Sequence, residues 1–240
     1  MFLFWRLLLA HLTADFLLQP DWVFRIKSRH RWGVLLHGGI VGLTTFLLAA
    51  PYLSSARVIT LLICALIIHI FQDKAKIIFA SQVARDNLWT FLLDQFLHVL
   101  AMGLVALACA DLPRHKFPFF SGVLEPLYAN DAVTIFAIWF MILTYGMFVL
   151  QEYVKKSLHG GRKKGVSFPG FGMKHFSILS RGCIGIGVWA GRFSPFWYIL
   201  PCLLLLVNLW MIRRGKLQAL DFRISTVAAF LIGVLMRVTV

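Results

Sequence analysis

The sequence predicts an all-α, polytopic transmembrane bundle of about eight membrane helices, and three observations carry that prediction. Hydrophobic residues make up 60% of the 240-residue chain and charged residues only 14%, against about 25% charge in an ordinary soluble domain. The mean hydropathy is +0.80. The apolar residues fall in blocks, and a helix needs roughly 20 of them to cross a bilayer.

Eight such segments can be drawn, at 1–19, 33–50, 56–79, 87–110, 131–157, 175–191, 194–213 and 219–238. They are apolar on all sides, as lipid-embedded helices are, whereas barrel strands would alternate. Segment one could also be a signal peptide, since it joins a basic residue to an apolar run. His11 and Asp15 interrupt that run and no A-x-A site follows, so a membrane helix is expected.

Segment one reads "AHLTADFLLQ", which sets His11 and Asp15 four apart, with Gln19 four further on. Segment two holds His37 near its start. Segment three ends in "HIFQDKAK", with His69 and Asp73 four apart and Lys76 three later. Segment four contains "LLDQFLH", where Asp94 and His98 are again four apart but in the opposite order. Residues i and i+4 share one helix face, so each of these three segments stacks a His over an Asp.

The stretch 111–130, "DLPRHKFPFFSGVLEPLYAN", holds three of the eight prolines. It is expected to be an external loop between a four-helix unit at 1–110, carrying the His/Asp cluster, and a second four-helix unit at 131–240. In the second unit Glu152 and Arg181 are candidates for a structural ion pair, because paired charges are the usual way to hold a charge in a membrane. Asn208 is a candidate interhelical hydrogen bonder, and Gly182, Gly185, Gly187 and Gly191 would permit close packing. Cys64, Cys109, Cys183 and Cys202 all lie in apolar segments without a C-x-x-C pair, so no disulfide framework or thiolate metal site is indicated.

Charge placement predicts the orientation. Most of the 24 basic residues fall in the connections after segments one, three, five and seven. The positive-inside rule puts those connections in the cytoplasm and both termini outside. A formal charge of +14 would suggest nucleic acid for a soluble protein. Beside membrane ends it reads instead as attraction to anionic lipid headgroups, with no nucleic-acid partner expected. The densest run, "KKSLHGGRKKGVSFPGFGMKH", matches no phosphate-loop spacing.

This orientation gives the polar residues a common layering. Counted at 1.5 Å of rise per residue from the cytoplasmic ends, Asp15, Asp73, Asp94 and His37 lie about 5–12 Å deep. His11, His69 and His98 lie at about 14–18 Å. The reversed order in segment four follows from its reversed direction, so every His is deeper than its Asp. A charge at such depth is costly unless it is paired or hydrated, and ionisable residues there mark functional sites by default.

Neutral imidazoles and carboxylates are the ligand set for a first-row divalent ion, zinc foremost, with manganese or iron as alternatives. The expected ligands are His11, His69, Asp73, Asp94 and His98. Asp15 or Asp73 would serve as general base, with Lys76 either meeting a carboxylate or an anionic substrate or snorkelling to the interface. Gln19, His37, Gln72 and Gln95 are the accessory candidates, since a ligating side chain needs an orienting partner. A metal-dependent hydrolase acting on a lipid-borne or interfacial substrate follows as one expectation. A proton- or cation-coupled transporter and a non-catalytic scaffold subunit are the alternatives.

The order of these residues resembles a bacterial integral-membrane family called domain of unknown function 3307. Its pattern is similar to H-x3-D-F-x2-Q, a His on the second helix, H-x3-D-x2-K, then D-Q-x2-H. Here these are His11, Asp15, Phe16 and Gln19; His37; His69, Asp73 and Lys76; and Asp94, Gln95 and His98. The resemblance covers about residues 7–100 and implies a multi-pass protein of the bacterial inner membrane, without implying an activity. A looser similarity to bacterial membrane-bound metal-dependent hydrolases is analogy of residue types alone.

Overall fold

In the computed structural model of the protein, residues 1–30, 32–83, 87–113, 115, 124–158, 171–214 and 219–239 are described. The core of the basic run at 155–175, much of the expected external loop, and Arg31, Arg85 and Lys216 lie outside these residues. All regular structure among the described residues is helical. Each of the eight apolar segments forms a helix, but the helices differ in reach. Five are long and apolar enough to cross a membrane, at Ala56–Phe79, Leu88–Ala108, Asp131–Lys155, Pro195–Arg213 and Asp221–Thr239. A sixth exists if the bent pair Phe2–Leu17 and Trp22–Arg29 is one span. This fits a multi-pass membrane protein.

Local chemistry explains where the other helices stop. Helix α1 (Phe2–Leu12) runs into a π-helical turn, Thr13–Leu17. Pro20 then starts α2 (Asp21–Arg29) from an extended conformation, and the chain bends by 92°. Proline disfavours helix in the residue before it, so the break falls at the Gln19–Pro20 bond. Helix α3 (Gly33–Leu48) is only 16 residues long because Ala50–Tyr52, with its own proline, closes it as a 3-10 turn. Helices α4 (Ala56–Val83) and α5 (Leu88–Ala108) follow. Asn87 caps α5: its side chain accepts from Thr90 N at 3.1 Å, and its own N–H donates to Thr90 Oγ1 at 3.0 Å. Reciprocal bonds of this kind satisfy two of the free donors of a helix start.

The chain divides into two compact units, Met1–Thr134 and Ile135–Val240. In the first, α1 packs on α3 and α5, α3 on α4, and α4 on α5, which closes a four-helix ring. One end of the ring is an apolar plug of Leu3, Leu7, Ala49, Tyr52, Val58, Leu62, Val105 and Cys109. Gly38 and Gly42 present one face of α3 to Ile70 and Leu66 of α4, close enough that an added Cβ would press on both side chains. Small residues at this spacing let helix backbones approach. At the plug end, Arg57 spans from α4 to the last turn of α5. It donates to Ala108 O at 3.2 Å and to both Asp111 oxygens at 2.9 and 3.0 Å. Those bonds hold the exposed Asp111 carboxyl below its usual range.

The described end of the stretch expected to be an external loop is bound into this unit. Helix α6 (Leu124–Ala129) brings Tyr128 Oη to Leu48 O at 2.6 Å. Arg6 of α1, 1% exposed, donates to Asp131 and to Tyr128 O, with its guanidinium over the Phe2 ring at 3.5 Å. A buried guanidinium is retained only with such partners.

The second unit continues α7 (Asp131–Met141) through a π-helical turn, Ile142–Gly146, into α8 (Met147–Leu158). Helix α9 (Phe171–Ala190) then packs on α10 (Ile199–Arg213) and α11 (Ala219–Thr239). The expected Glu152–Arg181 pair does not form. Arg181, 1% exposed, instead donates to Gln151 Oε1 at 2.8 Å, Ser225 Oγ at 3.0 Å and Thr144 O at 3.3 Å. Glu152 pairs with Lys155, which also reaches Asp221 at 3.1 Å. The reason is one residue of helix phase: Gln151, not Glu152, is the buried position. The Asn208 amide donates to Ser180 Oγ at 2.9 Å across α9 and α10, as expected.

Gly233 of α11 sits where an added Cβ would lie 2.8 Å from both Gly185 O and Val188 Cβ. A backbone oxygen cannot swing away. Gly233→Val is therefore expected to wedge α9 and α11 apart and destabilise unit two by about 1–3 kcal/mol, read as a lower melting temperature in detergent. An unchanged melting temperature would contradict the close packing.

Candidate functional site

Three of the four walls of the ring, α1, α4 and α5, each contribute one polar stripe. The His11 ring of α1 lies 3.8 Å (Nδ1) from Asp15 Oδ1, His69 Nε2 of α4 lies 3.3 Å from Asp73 Oδ2, and His98 Nε2 of α5 lies 3.4 Å from Asp94 Oδ1. These are the three i,i+4 pairs, and they meet inside the ring. His69 and His98 have ring centroids 4.3 Å apart, His11 and His98 4.9 Å, and His11 and His69 5.7 Å. All three imidazoles are buried, as are Asp73 and Asp94.

The π-helical turn at Thr13–Leu17 contains Asp15. Such a turn adds a residue to the helix and re-aims the side chains beyond it, a feature frequent at functional sites. Asp15 Oδ1 is closer to His37 Nε2 of α3, at 3.1 Å, than to His11. His37 is fully buried and also lies 3.7 Å from Asp73 Oδ2. Sequence spacing alone makes His37 an accessory residue; the fold sets it between two carboxylates.

Two lysines close the carboxylate layer. Lys76 extends from α4 to Asp94 Oδ2 of α5 at 2.7 Å, so it crosses to a neighbouring helix. Lys27 reaches Asp73 Oδ2 at 2.7 Å from α2. The sequence assigned Lys27 only to orientation. The signal available was its place four residues after Val23, the apolar position that α2 buries. The bend at Pro20 turns that shared face onto the ring.

The three glutamines separate. The Gln95 amide donates to Asp94 Oδ2 at 3.2 Å. Gln72 lines a cavity of about 40 Å³ together with His11, His69 and His98, and its Oε1 is buried without a hydrogen-bond partner among the described residues. Gln19 Nε2 likewise has none. Apart from Thr45 the rest of the lining is apolar, and Leu7, Leu62 and Val105 of the plug form its far wall. It has room for a water molecule, which needs about 10–15 Å³ by this measure. The unit is thus layered along its axis: apolar plug, cavity, imidazoles, carboxylates, lysines.

Among the described residues His11 Nε2, His69 Nε2 and His98 Nε2 have no hydrogen-bond partner; the last two stand near carboxylate oxygens but off the line of a good bond. Buried polar atoms are normally satisfied. One donor atom each from His69, Asp73 and His98 lie within 4.8 Å of one another, and the same is true of Asp15, His37 and His69. Ligands on a tetrahedral zinc stand roughly 3.4 Å apart, so small rotations would bring either set onto one ion.

Residues 3–119 match the model of a family described as a protein of unknown function, DUF3307. That match spans the whole His/Asp cluster and the four spaced motifs on helices α1, α3, α4 and α5. No curated protein and no solved structure matches the chain.

Proposed function

We propose that the first unit is a divalent-metal centre of a multi-pass protein of the bacterial inner membrane, and that it catalyses hydrolysis of a lipid-borne or interfacial linkage. The observation that carries this reading is the convergence of His69, Asp73 and His98, from two adjacent helices, to within 4.8 Å at donor atoms that lack good hydrogen bonds. Asp94, Asp15, His11 and His37 surround that set as further ligands or as carboxylates that take a proton. The positive-inside distribution supports an orientation with the carboxylate and lysine layers toward the cytoplasm.

The ion would supply Lewis acidity and a water of lowered pKa. In hydrolysis the water oxygen joins the acyl or phosphoryl centre and the ester oxygen leaves with a proton. Asp15 is placed to carry that proton. It lies beside His37 and His11, outside the His69–Asp73–His98 set. The largely apolar plug favours an enzyme over an ion pathway, because Leu7, Leu62 and Val105 on the far side of the cavity are poor ligands for a translocated ion.

Metal analysis of protein purified in mild detergent tests the reading. Zinc or manganese near one equivalent is expected in the wild type, with loss of it in His69→Ala and in His98→Ala. Folded wild-type protein that stays metal-free after incubation with both ions would refute it.

A further inference from the structure

We infer that Lys27 is the ligand-binding cation of this site, released when Asp73 takes up a metal ion, and that the ligand it binds carries a phosphate or similar oxyanion head. The inference rests on the metal-centre reading and names the substrate class of that site.

Competition for one atom is the first ground. Asp73 Oδ2 is the oxygen that faces His69 Nε2 at 3.3 Å and His37 Nε2 at 3.7 Å, and it is also the oxygen held by Lys27 Nζ at 2.7 Å. Two cations on one carboxylate oxygen repel, so an ion on the His69–Asp73–His98 set displaces the ammonium. Asp94 is arranged differently. Its Oδ1 faces His98 while its Oδ2 holds Lys76 and Gln95. Lys76 therefore keeps its partner and positions Asp94.

Charge is the second ground. Lys27 meets Asp73 and Lys76 meets Asp94, while Asp15 meets imidazole, which leaves the cluster one negative charge in excess with neutral imidazoles. A divalent ion reverses this to one positive charge in excess. An unbalanced charge within a membrane-embedded cluster is costly, so the loaded site favours an anionic ligand over a neutral one. Lysine suits phosphate as a compact point charge on a flexible stem.

Placement is the third. Helix α2 buries Val23 and exposes Trp22 and Phe24 beside the exposed Arg25 and Arg29. An amphipathic helix of this composition lies in the headgroup layer, with tryptophan at the interface. Lys27, whose side chain is 11% exposed, stands between that layer and the ligand set.

The test uses the full chain in phosphatidylcholine nanodiscs, titrated with zinc against a chromophoric chelator. Lys27→Gln is expected to raise zinc affinity about tenfold, because the competitor is gone. In the zinc-loaded protein the same variant is expected to weaken binding of a phosphate ligand about tenfold or more. Lys27→Arg should retain phosphate binding. Two probes separate the sources: inorganic phosphate, and hexadecyl phosphate carried in the disc. Binding of either one with this Lys27 dependence supports the inference, and tighter binding of the amphiphile identifies a lipid-borne head. If Lys27→Gln does not fold, Lys27→Met keeps the stem without the charge and is read the same way. A wild type that loads zinc, with Lys27 variants that leave zinc and phosphate affinities unchanged or weaken both, overturns the role of Lys27 and leaves the metal centre standing. A wild type that loads no metal overturns both.

Discussion

Asp73→Ala is expected to cost about 3–5 kcal/mol of stability, the usual penalty for removing one partner of a buried ion pair. Asp73 is 3% exposed and serves Lys27, His69 and His37 at once. Its loss leaves the Lys27 ammonium and the His69 imidazole without their facing carboxylate, while His37 keeps Asp15. Thermal unfolding in detergent, followed by circular dichroism, reads the effect. The double variant Lys27→Met/Asp73→Ala should recover much of the loss, since removing both charges costs far less than orphaning one. A double variant no more stable than Asp73→Ala would show that Asp73 acts through something other than Lys27. Bound metal should be absent in both.

Arg181→Ala should rank second, at about 3 kcal/mol, because it removes the donor to Ser225 Oγ and Thr144 O, leaves Gln151 Oε1 only the Ser225 hydroxyl, and opens a void. The π-helical turn at Ile142–Gly146 holds Thr144, whose carbonyl is turned to Arg181. Arg181→Lys keeps the charge but its single ammonium cannot match the guanidinium's reach to three acceptors on two helical spans, so it should recover only part of the stability. Glu152→Gln should change little, because Glu152 bonds Lys155 and not Arg181. A larger loss in Glu152→Gln than in Arg181→Ala would reverse this assignment.

Much of the candidate site could be read along the chain. His11/Asp15, His69/Asp73 and Asp94/His98 are i,i+4 pairs, and helical geometry alone puts the members of each on one face. Their common depth followed from chain direction. What could not be read was which groups cross between helices. Lys76 pairs with Asp94, 18 residues away, and Lys27 pairs with Asp73 from a helix that one proline turns by 92°. His37 owes its central place to the packing of α3 between α1 and α4. The span lengths were legible only in part: hydropathy marks an apolar block, but Pro51 and Pro20 decide where α3 and α1 end as helices.

The sequence by itself determined the helical class, the apolar blocks and the three His/Asp stripes, because composition and the 3.6-residue period act within one element. Only the tertiary structure decided that the stripes face one another around a shared interior, that Lys27 completes the carboxylate layer, and that Arg181 bonds an amide in place of an acid. Those outcomes depend on ring closure, on two π-helical turns and on a proline bend. Each re-aims side chains through space without altering the periodic pattern on which a linear reading relies.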